Sequence, residues 1–165
     1  MESIKKILPY FIIIGIVVLI RAYVFTPITV NGASMEQSFY NGDVVLLKKM
    51  YNNIKRFDVV VIDLKDGKPL IKRVVGLPGE YVEYKDSNLY INNKLVEESF
   101  IKEDTNDFKL TELGYQIIPD DMYFVMGDNR DDSMDSRIIG LIKRDSIVGK
   151  ASIILFPFSR LGIAK

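Results

Sequence analysis

The chain has 165 residues, 48% hydrophobic and 27% charged, which supports a packed core and excludes a disordered chain. Lysine plus arginine and aspartate plus glutamate both number 22, so no basic surplus exists to grip phosphates, and nucleic acid is not expected as a partner. Cysteine and histidine are both absent, which removes disulfides, thiol nucleophiles, thiolate metal sites, the Ser-His-Asp triad and imidazole bases. Acid–base chemistry must come from Lys, Asp, Glu or Tyr, and neither a metal nor a cofactor is expected.

No residue from 7 to 20 is charged, and the apolar run passes Arg21 to end at Phe25. Nineteen residues, 7–25, at about 1.5 Å each suffice for a hydrocarbon core, with Arg21 able to reach the headgroups and Tyr10 and Tyr23 suited to the interfaces. Lys5 and Lys6 before the run predict a cytoplasmic N-terminus. A cleavable signal peptide would also explain the Lys pair, but Arg21-Ala22-Tyr23-Val24-Phe25 is bulky where cleavage needs small residues. The reading is a cytoplasmic N-terminus and transmembrane anchor over 1–25, then one domain over 26–165.

Pro27 is expected to end the helix, and the rest of the chain reads as strands: 43–47, 58–64, 71–75, 81–84, 89–91, 123–126, 137–142 and 147–156. Turn residues punctuate them at Asn41-Gly42, Asp66-Gly67, Pro78-Gly79 and Asn92-Asn93, the last a two-residue hairpin between 89–91 and 94–96. Residues 97–115 are polar and weakly patterned and read as a surface excursion. The expected fold is mainly β: an N-terminal transmembrane helix followed by an antiparallel, strand-rich domain.

Three segments carry chemistry. In Asn31-Gly32-Ala33-Ser34-Met35-Glu36, small residues before Ser34 leave its hydroxyl approachable, although such a serine is also common in ordinary turns. In residues 69–79, strand alternation puts Lys72 on the face of Leu70 and Val74, with Ile71, Arg73 and Val75 on the other. Lys72 is then either an edge-strand lysine reaching solvent or a desolvated amine able to act as a base. Lowering its pKa by about two costs roughly 2.7 kcal/mol, which burial can supply. Residues 127–137, Gly127-Asp128-Asn129-Arg130-Asp131-Asp132-Ser133-Met134-Asp135-Ser136-Arg137, could by composition alone be a charged surface turn.

Together these segments resemble the type I signal peptidases, Ser-Lys proteases that remove signal peptides from exported proteins. The resemblance runs in order through the anchor, the Ser34 segment, Asn41-Gly42-Asp43-Val44-Val45, the Lys72 segment and residues 127–137; the compact length is similar to the Gram-positive type. It implies a signal-peptidase-like catalytic domain in which Ser34 is the nucleophile, Lys72 the general base and Ser133 the hydroxyl orienting the amine. Arg73 and Asp128 match a structural ion pair, Asp135 and Arg137 match supporting residues, and the Ser34 N–H matches one oxyanion donor. Gln37 stands where many members have proline. Gly32 leaves a second oxyanion donor unassigned.

The resemblance further implies secretory preproteins as substrates, bound by strand addition with small residues before the cut. Ile28, Val30, Met35, Phe39, Val61 and Ile71 are the candidate pocket walls, each equally able to be ordinary core. The implied location is the cell membrane, single-pass, with the bilayer as partner and the catalytic domain outside the cytoplasm; oligomeric state is left open. A self-cleaving repressor lacks support because no basic helical segment precedes Ser34. The mitochondrial inner-membrane relatives share the plan. A catalytically inactive, membrane-tethered binding module is the alternative of another class, and retention of Ser34, Lys72 and Ser133 together speaks against it.

Overall fold

A computed structural model describes residues 2–49, 53–64 and 68–164, with side chains from Ile7 onward. The first element is a 22-residue helix, α1 (Glu2–Tyr23), with Arg21 in its last turn, where a cation suits the helix dipole. Its terminal carbonyls are satisfied from outside: Thr26 Oγ1 donates to the Arg21 carbonyl at 2.8 Å and Lys49 Nζ to that of Ala22 at 2.9 Å. The large apolar side chains of residues 7–20 all stay 46–67% exposed. The expected transmembrane helix is nevertheless not established: among the described residues, no helix is long and apolar enough to cross a membrane. Pro27 does not end the helix. It lies inside β1 (Phe25–Thr29), which among the described residues pairs only with β2 (Val44–Lys48), and such an edge position tolerates a residue without an N–H.

The larger sheet continues with β3 (Val59–Ile62), β4 (Leu70–Gly76), β9 (Met122–Met126), β10 (Ile142–Lys143), β11 (Ile147–Phe156) and β12 (Gly162–Ile163). Its order is β1-β2-β11-β3-β4-β9-β10, with β12 on β11, and every described pairing is antiparallel. The smaller sheet has the order β7-β6-β5-β8, formed by β5 (Val82–Lys85), β6 (Asn88–Ile91), β7 (Lys94–Val96) and β8 (Phe108–Lys109). Asn92 and Asn93 join β6 to β7 with positive φ at both positions, as a primed hairpin turn requires.

Two expectations change. Residues 97–115 are more than a surface excursion: they supply β8, a 3-10 turn at Leu110–Leu113, and buried Thr105, Phe108 and Leu110. The Phe108 ring stacks on Phe124 of β9 at 5.2 Å, which joins the two sheets through one core. The strand expected over 137–142 is instead the short helix α2 (Ser136–Ile139), followed by β10. Asp135 caps this helix by accepting from the Arg137 N–H, and Gly140 ends it at φ 81°. Apolar periodicity could not outweigh those two terminal signals.

Candidate active site

Ser34 sits in a tight turn between β1 and β2. The Glu36 N–H donates to the Ala33 carbonyl, and the Ser38 and Phe39 N–H groups to that of Met35. Met35 and Phe39 are 1% and 0% exposed, so two buried anchors flank the turn and leave half-buried Ser34 at its outer side. The Gly32 N–H donates to Asn41 Oδ1 at 3.0 Å and is therefore already engaged.

Lys72 lies on β4, in register with Val60 of β3, and is 2% exposed. Its Nζ donates to Ser34 Oγ at 2.5 Å, across 38 residues of sequence. Burial pushes the amine down from 10.5 to about 8, against the opposing pull of the Asp135 and Asp128 carboxylates. An amine there is substantially neutral at mildly alkaline pH. It can then take a proton from the hydroxyl it touches.

The next residue, Arg73, forms a buried bidentate pair with Asp128: Nε to Oδ1 at 2.8 Å and Nη2 to Oδ2 at 2.7 Å. It also contacts the Phe57 carbonyl, Ser38 Oγ and the face of the Phe100 ring. Residues 127–137 close over the opposite side. Asp135, fully buried, accepts from the Gly127 N–H at 3.1 Å and from Arg137 Nε and Nη2, both at 2.9 Å. Burial alone would raise the Asp135 pKa, but the Arg137 bonds and charge outweigh it and hold the carboxyl below its ordinary value. The Asn129 N–H donates to the Ser34 carbonyl at 3.2 Å, tying this loop to the Ser34 turn. Ser133 is 9% exposed; it lies within electrostatic reach of Asp135, yet its Oγ makes no hydrogen bond of good geometry. No Lys72–Ser133 hydrogen bond is formed.

The six candidate wall residues divide. Ile28, Val61 and Ile71 line an open groove of about 490 Å³ together with Leu47, Pro69 and Val148. Val30, Met35 and Phe39 are buried in the core beneath and do not line it. β-Strand alternation does not separate a wall from a core residue when both faces of a sheet are covered.

Sequence reasoning missed four participants. Arg130 and Glu98 form a buried ion pair at 2.6 Å, and Arg130 Nε also donates to the Gly127 carbonyl. Asp43 and Arg160 pair below the Ser34 turn. Arg130 and Asp43 lay in motif segments and could have been weighed; Glu98 and Arg160 had no local signal.

The protein belongs among the peptidases. The sequence model described as "Signal peptidase, peptidase S26" matches residues 3–156, and the chain is a member of that family. It is 38% identical over 161 residues to signal peptidase I P of Bacillus subtilis subsp. natto, covering 91% of this chain and 87% of that protein. To signal peptidase I V of Bacillus subtilis (strain 168) it is 42% identical over 146 residues, 81% of this chain and 87% of that one. A crystal structure of a signal peptidase I from Enterococcus faecalis V583 superimposes with a TM-score of 0.57 at 37% identity, covering 61% of this chain and 98% of that one.

Proposed function

We propose that this chain is a membrane-anchored serine endopeptidase that removes N-terminal signal peptides from exported preproteins after small residues, with Ser34 as nucleophile and Lys72 as general base. The observation that carries the reading is the 2.5 Å contact between Ser34 Oγ and a buried Lys72 amine. Neutral Lys72 takes the Ser34 proton as Oγ attacks the scissile carbonyl carbon. The charge gathers on the carbonyl oxygen, facing the Ser34 N–H, which donates to no other group among the described residues. The Lys72 ammonium then returns its proton to the leaving amide nitrogen as the C–N bond breaks, leaving an ester on Ser34. Water, giving a proton to Lys72, attacks that ester, and the proton passes back to Ser34 Oγ. Ser133, buried on the loop tied to the Ser34 turn, is assigned the hydroxyl that orients the Lys72 amine by its match to the family's motif.

Substrate entry by strand addition is supported by two free edges beside the groove. Among the described residues, β1 pairs only with β2, and residues 70–72 of β4 pair only with β3. Ile28, Val61 and Ile71 then limit the side chains admitted before the cut. The anchor reading is supported by the exposed apolar side chains of residues 7–20 in α1 and by Lys5 and Lys6 ahead of that run.

The test is to incubate the detergent-solubilised protein with a secretory preprotein and sequence the new N-terminus. The expected result is a cut after a small residue. Ser34→Ala, Lys72→Ala and Lys72→Arg should each be inactive while folded, since a guanidinium does not give up its proton near neutral pH. Cleavage by Ser34→Ala would defeat the assignment, and a folded parent without activity would favour the inactive binding module.

A further inference from the structure

Building on the reading of Ser34 as nucleophile, we propose that Arg160 is a positioning residue of this peptidase, acting on Ser34 through Ser38 and Asp43. Arg160 ends a 3-10 turn at Phe158–Arg160, past residue 156, where the family match stops. From there its guanidinium reaches back over more than a hundred residues of sequence to the underside of the Ser34 turn. Nη1 donates to Asp43 Oδ2 at 2.5 Å, Nη2 donates to the Ser38 carbonyl at 2.9 Å, and the group lies 4.3 Å from the centre of the Tyr40 ring. Asp43, 3% exposed, also accepts from the Tyr40 N–H through the same oxygen.

Ser38 is where these contacts meet the catalytic pair. It is 4% exposed; its N–H donates to the Met35 carbonyl, and its hydroxyl accepts from Arg73 Nη2 at 2.8 Å. Arg73 immediately follows Lys72 on β4. Ser38 is thus gripped on one side from the strand that carries the base and on the other by Arg160, within the turn that carries the nucleophile. Fixing Ser38 fixes the approach of Ser34 Oγ to Lys72 Nζ.

A second feature makes the grip necessary. Gln37, between Ser34 and Ser38, has φ 97°, a left-handed conformation that a residue with a Cβ adopts only when its surroundings over-determine it. Its Oε1 accepts from the Lys102 N–H on one flank, and Arg160 holds the carbonyl of the next residue on the other. The two terminal nitrogens of one planar group each take one of these acceptors, an arrangement that a lysine ammonium does not reproduce.

The experiment compares the full chain in detergent with Arg160→Ala, Arg160→Lys, Asp43→Asn and the Arg160→Ala/Asp43→Asn double variant, using Ser34→Ala as the blank. Single-turnover cleavage of one preprotein is measured with a thermal unfolding curve for each protein. Arg160→Ala should lower kcat by about tenfold to a hundredfold with KM changed by less than about threefold, because a misplaced nucleophile loses rate rather than binding. Arg160→Lys should recover part of the rate, and the double variant should be no slower than the slower single one. If Arg160→Ala does not fold, Arg160→Lys and Asp43→Asn carry the comparison. Folded variants with parental kcat, or with raised KM at parental kcat, would overturn the proposal while leaving the Ser34 reading intact. An inactive parent, or an active Ser34→Ala protein, would overturn both.

Discussion

Lys72 shows most directly how burial becomes reactivity. Its amine is held near 8 rather than 10.5 by desolvation, so the native state resists the charged form. The rate of cleavage should therefore rise with pH through a midpoint near 8, read from single-turnover rates across the range where the protein stays folded; a midpoint at the value of a free lysine would contradict a desolvated base. The same shift has a stability consequence of definite sign. Below pH 8 the folded chain must carry an ammonium it disfavours, at a cost on the order of 3 kcal/mol. Between 8 and 10.5 the unfolded chain binds more protons, so stability rises with pH across that window. Lys72→Met should consequently unfold at a higher temperature than the parent at pH 7, with an advantage that shrinks as the pH approaches 10. Calorimetry at a series of pH values measures it.

At the scale of elements, the site depends on how closely two loops approach. A Cβ on Gly127, just past β9, would stand 2.3 Å from Ser133 Oγ and 2.4 Å from the Ser34 carbonyl oxygen. Gly127→Ala should therefore drive the Ser133 loop from the Ser34 turn and lower kcat by about a hundredfold or more. Gly76, at the end of β4, is equally crowded, but by Ile118 and Val82 of the core joining the sheets. Gly76→Ala should cost about 1–3 kcal/mol by overpacking, seen as a lower urea midpoint, with kcat of the folded protein nearly unchanged. The contrast between the two glycines separates crowding at the site from crowding in the core.

For the whole molecule, the smaller sheet and the 127–137 loop are joined by a buried polar cluster. Glu98 accepts from Arg130 Nη2 at 2.6 Å and from the Tyr84 hydroxyl at 2.9 Å, Thr105 Oγ1 accepts from Arg130 Nη1, and Arg137 Nη2 donates to the Arg130 carbonyl. Glu98→Ala would leave the Arg130 charge buried without its carboxylate, which typically costs about 3–5 kcal/mol, and should weaken the protein globally in urea. Orientation is a property of the same scale. With Lys5 and Lys6 ahead of the apolar run, protease added to intact protoplasts should degrade residues 26–165, and protection of that domain would reverse the proposed topology.

What the amino-acid sequence determined by itself was whatever rests on composition or short-range pattern. The absence of histidine and cysteine narrowed acid–base chemistry to Lys, Asp, Glu or Tyr, alternating apolar residues marked most strands, and Asn92-Asn93 specified a hairpin, because each signal rests on composition or acts within a few residues. The ordered motifs around Ser34, Lys72 and residues 127–137 also sufficed to point to the family. The tertiary structure alone decided the distances: Ser34 against Lys72 across 38 residues, Glu98 against Arg130 across 32, and Arg160 against Asp43 across 117. It also decided that Ile28, Val61 and Ile71 face the groove while Val30, Met35 and Phe39 do not, since all six are apolar and only the packing of distant strands says which of them faces it. Even the lowered pKa of Lys72 belongs on that side, because desolvation is produced by whatever packs around an amine and is not a property of its neighbours in the chain.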